Sequence, residues 1–240
     1  MKKCRKVNCR REEIFFFKHN RKMYIFAQKI ETRMMLQTSI LRPRPSILGS
    51  LLMAICCLSA RYAMAQETGD LLFVRSQASE MEKAISASTG EYTHVALVER
   101  DPSGYVWVIE ADRQKGVQRL PFQAWDKAYN GQYDVFRFTQ PFDTTDMILR
   151  ARGFVGQPYD EGFLPDNNKF YCSELIYECF WKDGEHLFEA QPMNWRDANG
   201  NIPEYWIDHF QKLGVPVPEG VPGTNPTDMA KSPLLQKVGD

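Results

Sequence analysis

The 240 residues divide into two pieces of opposite charge, so a formal net charge of zero describes neither. Residues 1–65 carry 14 Lys and Arg against Glu12, Glu13 and Glu31, whereas the remaining 175 residues hold 16 basic and 27 acidic side chains. The acidic piece is long enough for one domain with its own core. Its charge argues against nucleic acid, and against anionic membrane surfaces as the main partner.

Residues 47–60 form an apolar run of 14, short of the roughly 20 residues of a membrane span. Arg42 and Arg44 precede it, and Ala63-Met64-Ala65 follows as a small-x-small cleavage site. That layout is a secretory signal peptide, and cleavage would leave a chain starting at Gln66. Residues 1–33 are too long and too charged for such a signal, whereas a start at Met34 or Met35 gives an ordinary n-region. The competing reading is a basic cytoplasmic tail with a short anchor. A lipoprotein is disfavoured by the residues before Cys56 and Cys57. The expected organisation is a leader over 1–65, a domain over 66–214 and a Pro/Gly-rich surface tail over 215–240, exported to the periplasm or beyond.

Cleavage removes Cys4, Cys9, Cys56 and Cys57 and leaves Cys172 and Cys179. On one helix their Cα atoms would stand about 10.5 Å apart, beyond the limit of about 7 Å for a disulfide. With no Cys-x-x-Cys and no His-x-x-x-His, no metal site is expected.

In chain order, Leu71-Leu72-Phe73-Val74 reads as a short buried strand. Ser79 with Glu82 reads as a capping box opening a helix that Thr89-Gly90 ends. Tyr92–Glu99 and Tyr105–Ala111 are β-rich runs around the turn Asp101-Pro102-Ser103-Gly104. If Arg100 and Gly104 close the hairpin, His94 lies directly opposite Glu110 on one face of the sheet. A carboxylate there fixes the imidazole tautomer and favours its charged form. A one-residue slip would separate the two.

Further strands are expected at Gly116–Leu120 and Tyr133–Phe138, with a helix from Pro121 through Trp125 between them. Residues 144–155 and Glu204–Leu213 have helical spacing. Leu175, Ile176, Cys179 and Phe180 make Cys172 the opening residue of an amphipathic helix. A thiol there sits at the positive end of the helix dipole, which favours thiolate, and the free N–H groups could hold an oxyanion. Cys172 is therefore the candidate nucleophile. Cys179 reads as a buried packing residue, His186 and His209 as surface residues. Tyr159 and Tyr171 are candidates for lining the substrate cleft, with half-buried packing as the equal alternative.

Gly69-Asp70-Leu71-Leu72-Phe73, Tyr92-Thr93-His94-Val95, Ile109-Glu110-Ala111, Gly156-Gln157-Pro158-Tyr159-Asp160 and Tyr171-Cys172-Ser173-Glu174-Leu175 occur in this order. Together they resemble the permuted papain-like amidases of the YiiX/YaeF type, within the NlpC/P60 cysteine hydrolase superfamily. In the permuted group, as here, the His strand precedes the Cys helix. The resemblance covers roughly residues 69 to 182. It implies Cys172 as nucleophile, His94 as base and Glu110 as the residue orienting His94.

The expected fold is α+β: an antiparallel sheet of about five strands with the Cys172 helix packed against it. The expected chemistry is thioester-forming cleavage of an amide, which needs no cofactor. An exported enzyme of this superfamily would meet peptidoglycan peptides. Two other classes stay open: a lipid-directed thioester acyltransferase or N-acyl amide hydrolase, and a non-enzymatic wall-binding module. An apolar groove beside Cys172 would favour the lipid-directed class.

Overall fold

A computed structural model describes residues 66–239. The expected signal peptide and the alternative starts lie outside the described residues. Among the described residues ten strands and six helices follow one another. In order they are β1 (Leu71–Val74), α1 (Glu80–Thr89), β2 (His94–Arg100), β3 (Val106–Asp112), β4 (Gly116–Pro121), α2 (Phe122–Tyr129), β5 (Tyr133–Phe138), α3 (Thr145–Phe154) and α4 (Cys172–Cys179). Then come β6 (Trp181–Lys182), β7 (Glu185–His186), β8 (Gln191–Pro192), α5 (Glu204–Leu213), β9 (Pro222–Gly223), α6 (Pro226–Ala230) and β10 (Leu235–Lys237).

The main sheet has six strands in the order β10-β5-β1-β2-β3-β4, every pair antiparallel. Its middle is covered on both faces, which is why β1 and β2 are continuous apolar runs rather than alternating ones. Leu71, Phe73, Val95, Leu97 and Ile109 pack with Met147 and Ala151 of α3 and Leu175, Ile176 and Cys179 of α4. Leu72, Val74, Ala96, Val98 and Val108 pack with Phe122 and Trp125 of α2. A smaller cluster joins α1 to α5 through Met81, Ala84, Trp206 and Phe210. Each of those large apolar side chains contributes roughly 1.5–3 kcal/mol by leaving water.

The capping box of α1 forms as expected, with Gly90 at its C-cap. The β2–β3 hairpin differs in one detail. Asp101 accepts from the N–H groups of Ser103 and Tyr105 and from the Trp107 indole, and Gly104 takes a φ of +87°. This turn makes Asp101 and Tyr105 the closing pair, with Asp101 N–H donating to Tyr105 O at 2.9 Å. Leu97 consequently pairs with Ile109, two residues from the expected register. Because side chains alternate with period two, the shift keeps His94 and Glu110 on one face and makes them diagonal neighbours.

The helix after Pro121 runs a turn past Trp125, to Tyr129. The segment from 215 is no surface tail: β9 pairs with β8, and β10 pairs with β5 to form the sheet edge. His209 is buried and bonded to Glu161 O at 2.7 Å, and His186 is half-buried against Tyr177 and Trp181. Neither is a free surface histidine.

Gly116 closes the β3–β4 hairpin with φ +73°, and a Cβ added there would lie 2.2 Å from Gln157 O, the acceptor of the Val117 N–H. Gly104 also has a positive φ, but open space lies around it. Gly116→Ala is expected to lose about 3 kcal/mol or more of stability in urea unfolding, against about 1 kcal/mol for Gly104→Ala. Equal losses would mean that the approach of Gln157 is unimportant.

Candidate active site

The site forms where the start of α4 meets the start of β2. Tyr171 is the extended N-cap residue of α4, and its N–H points at Glu174 Oε2 at 3.4 Å. On either side of Cys172 the chain is tied to one residue of the C-terminal segment. Ser173 Oγ donates to Thr224 O at 3.0 Å, and Thr224 N–H donates to the Tyr171 hydroxyl at 3.1 Å. Cys172 itself is buried, at 6 % exposure, and free, as is Cys179. Burial pushes the Cys179 thiol up, so it stays neutral and inert.

His94 opens β2, half-buried, with its Nε2 2.8 Å from Glu110 Oε2 and its ring stacked on Tyr129 at 5.6 Å. Burial alone would make the imidazolium less stable. Hydrogen bonding and charge from Cys172 and Glu110 overcome it and push the His94 pKa up to about 10. The ring is therefore a cation held between a sulfur and a carboxylate.

Glu110 is fully buried, which by itself would raise its pKa, but hydrogen bonds from His94, Trp125 and Gln118 hold it below the usual carboxylate value. Oε2 accepts from Trp125 Nε1 at 2.7 Å as well as from His94, and Oε1 accepts from Gln118 Nε2 at 2.8 Å. The fold thus brings Cys172, His94 and Glu110 together. Sequence reasoning missed Gln118, Trp125 and Tyr129, although Gln118 pairs with Glu110 across the β3–β4 hairpin, a register the turn at Arg113–Lys115 could have given.

Glu174, two residues after Cys172 on α4, is a second carboxyl in this region. Burial, and then the charge of Asp160, push its pKa up to about 8, so at neutral pH it adds little negative charge beside Cys172. Asp160 accepts from the N–H groups of Gly162 and Leu164 and shapes the loop leading to α4.

A cavity of about 250 Å³ opens beside Cys172. Tyr159 and Tyr171 both line it. Burial, with the charge of Cys172 adding to it, keeps the Tyr159 phenol protonated. The Tyr171 hydroxyl is occupied by Thr224, so Tyr171 also fastens the cavity wall. Among the described residues no group of three His, Cys, Asp or Glu side chains could hold a metal ion.

A cysteine at a helix start, a histidine on an adjoining antiparallel sheet and a carboxylate behind it define a papain-like arrangement, here with the histidine strand ahead of the cysteine helix. The chain belongs to the permuted papain-like amidase family, YaeF/YiiX, C92, whose family model matches residues 65–239. It is 24% identical over 183 residues to the protein YiiX of Escherichia coli (strain K12), covering 74% of this chain and 88% of that one. A crystal structure described as metalloprotein yiiX from Escherichia coli O157:H7, DUF1105, has the same fold at 22% identity. Its TM-score is 0.62, over 72% of this chain and 97% of that one.

Proposed function

We propose that the chain is an exported cysteine amidase in which Cys172 is the nucleophile, His94 the acid and base, and Glu110 the residue that orients His94. The observation that carries this reading is the His94 ring, bonded to Glu110 at 2.8 Å and raised in pKa by both Glu110 and Cys172. The Cys172 sulfur attacks the amide carbonyl carbon, and the oxyanion rests on the Cys172 N–H at the start of α4. His94 passes a proton to the departing nitrogen as the C–N bond breaks, leaving a thioester. It then takes a proton from water as the water oxygen attacks the thioester carbonyl; the C–S bond breaks, the acid leaves, and the sulfur is returned with its electron pair beside the protonated ring.

The signal-like leader puts peptidoglycan peptides within reach of such an enzyme. The aromatic walls of the cavity favour a second reading, hydrolysis or transfer of an acyl group from an acyl amide or lipid. To separate them, the full chain and its Cys172→Ala variant are incubated with solubilised muropeptides and, separately, with N-acyl amino acids and phospholipids. Mass spectrometry reads the products. Cys172-dependent release of stem-peptide amino acids supports the wall amidase, and turnover of acyl substrates alone supports the second reading. Silence in both, together with a Cys172 alkylation rate indifferent to His94→Ala, would leave a binding module without catalysis.

A further inference from the structure

We propose that Thr227, at the start of α6, is a positioning residue for the His94–Cys172 pair, and that residues 224–227 brace the two against each other. This role rests on the hydrolase reading and adds a residue to it.

The strand that carries the imidazole is supported on one side only where it begins. β2 pairs with β1 from Leu97 to His94, but its pairing with β3 runs only over Leu97–Arg100. Tyr92, two residues before His94, lies outside the strand. Its N–H donates to Thr227 Oγ1 at 2.9 Å, and the Thr227 hydroxyl donates to Tyr92 O at 3.2 Å. Both residues are buried, so neither backbone group has water as an alternative. A single side chain thus exchanges both bonds with Tyr92, as a residue of a neighbouring antiparallel strand would. Thr227 has little room to turn, since a Cβ added at Gly90 would lie 3.2 Å from its methyl.

The same few residues grip the nucleophile. Thr224 O accepts from Ser173 Oγ and Thr224 N–H donates to the Tyr171 hydroxyl, one on each side of Cys172. Between the two threonines, Asn225 caps α6 by accepting from the Asp228 N–H at 2.9 Å, and Pro226 fixes its own φ. Three residue steps reach at most about 11 Å, and this stretch is further stiffened by the cap and the proline. Met229, one turn on, is buried with Leu175 and Ile176 of α4. The brace therefore moves with the nucleophile helix and carries Tyr92 with it.

A proton passes between Cys172 and His94 only while sulfur and ring stay within hydrogen-bond reach, and a displacement of about 1 Å can cost about a hundredfold in rate. β1 holds the backbone of His94 itself, and Thr227 fixes the path by which the chain enters that strand.

The test compares Thr227→Val, which keeps the shape and loses the hydroxyl, with Thr227→Ser, which keeps the hydroxyl, both in the full chain. Two readouts need no substrate: the pH profile of Cys172 alkylation by iodoacetamide, located by peptide mass spectrometry, and the titration of His94 by NMR. In Thr227→Val the alkylation profile should move towards that of His94→Ala. His94 should titrate at lower pH, because contact with Cys172 is part of what raises it. On any amide the chain cleaves, kcat should fall about tenfold to a hundredfold while KM changes by less than about twofold. Thr227→Ser should recover most of each. A Thr227→Val profile and titration identical to those of the unmodified chain overturn the brace, as does a Thr227→Ser variant no better than Thr227→Val. Should Thr227→Val fail to fold, Ser173→Ala loosens the brace at Thr224 O, and there a lowered His94 titration supports the brace and an unchanged one overturns it. A shifted pair in a chain that cleaves no amide upholds the brace and sinks the hydrolase reading, whereas amide cleavage with an unshifted pair does the reverse.

Discussion

Cys172→Ala is expected to lower amide turnover by at least about ten-thousandfold while leaving the fold intact, because only one sulfur is removed. The same substitution should also change His94, and that effect can be read without a substrate. Cys172 contributes both a hydrogen bond and charge that raise His94 to about 10. In the variant the imidazole is expected to titrate at lower pH by NMR. A histidine raised in the folded state stabilises the fold fully below its unfolded pKa, and that contribution fades as pH rises through the folded value. The unmodified chain should therefore lose this stability between about pH 6.5 and about 10, and the variant should lose it earlier. Urea unfolding across that range decides the matter: identical pH profiles would mean that sulfur and imidazole are not coupled.

Glu110→Ala carries the second large effect, this time on stability and turnover together. It strips the acceptor from the Trp125 indole, the Gln118 amide and His94 Nε2 at once. Unfolding should show a loss of about 3 kcal/mol, and kcat/KM should fall about a hundredfold to ten-thousandfold as the ring loses its orientation. Glu110→Gln separates the two effects. Its oxygen can take the Oε2 place and accept from His94 and Trp125, while its NH₂ faces Gln118, whose amide can turn over and accept. That variant should recover most of the stability and at least about tenfold of the activity lost in Glu110→Ala, with His94 titrating lower because the charge is gone. A Glu110→Gln protein as unstable as Glu110→Ala would refute the flip of Gln118.

The pairing of His94 with Glu110 was legible because strand periodicity is strict. The Asp101 turn moved the register by two residues, and an even shift cannot change a face. The helix start at Cys172 was legible from the apolar spacing of Leu175, Ile176 and Cys179. What escaped sequence reading are contacts made by elements too short to carry a period. β8 and β9 are two residues each, and β10 has one buried side chain in three. Only pairing with distant chain places them, so the Pro and Gly content of that segment read as surface. Gly223 makes the point: a Cβ there would stand 2.7 Å from Met193 and 2.9 Å from the Tyr171 hydroxyl, a closeness no local pattern announces. His209 could have been placed, since Trp206, His209 and Phe210 lie three and four residues apart on one face of α5 and all are buried.

The order of the permuted elements also sets the order in which the site comes off the ribosome. His94, Glu110, Gln118, Trp125 and Tyr129 fall within one contiguous stretch, so the imidazole and its hydrogen-bond partners can assemble from local contacts while synthesis continues. The sulfur is made only afterwards, and Thr224, which ties down both of its neighbours, is made later still. A nascent chain stopped before Thr224 would carry a thiol with neither its clamp nor its walled cavity. The complete arrangement around the sulfur thus waits for the last part of the domain to be made.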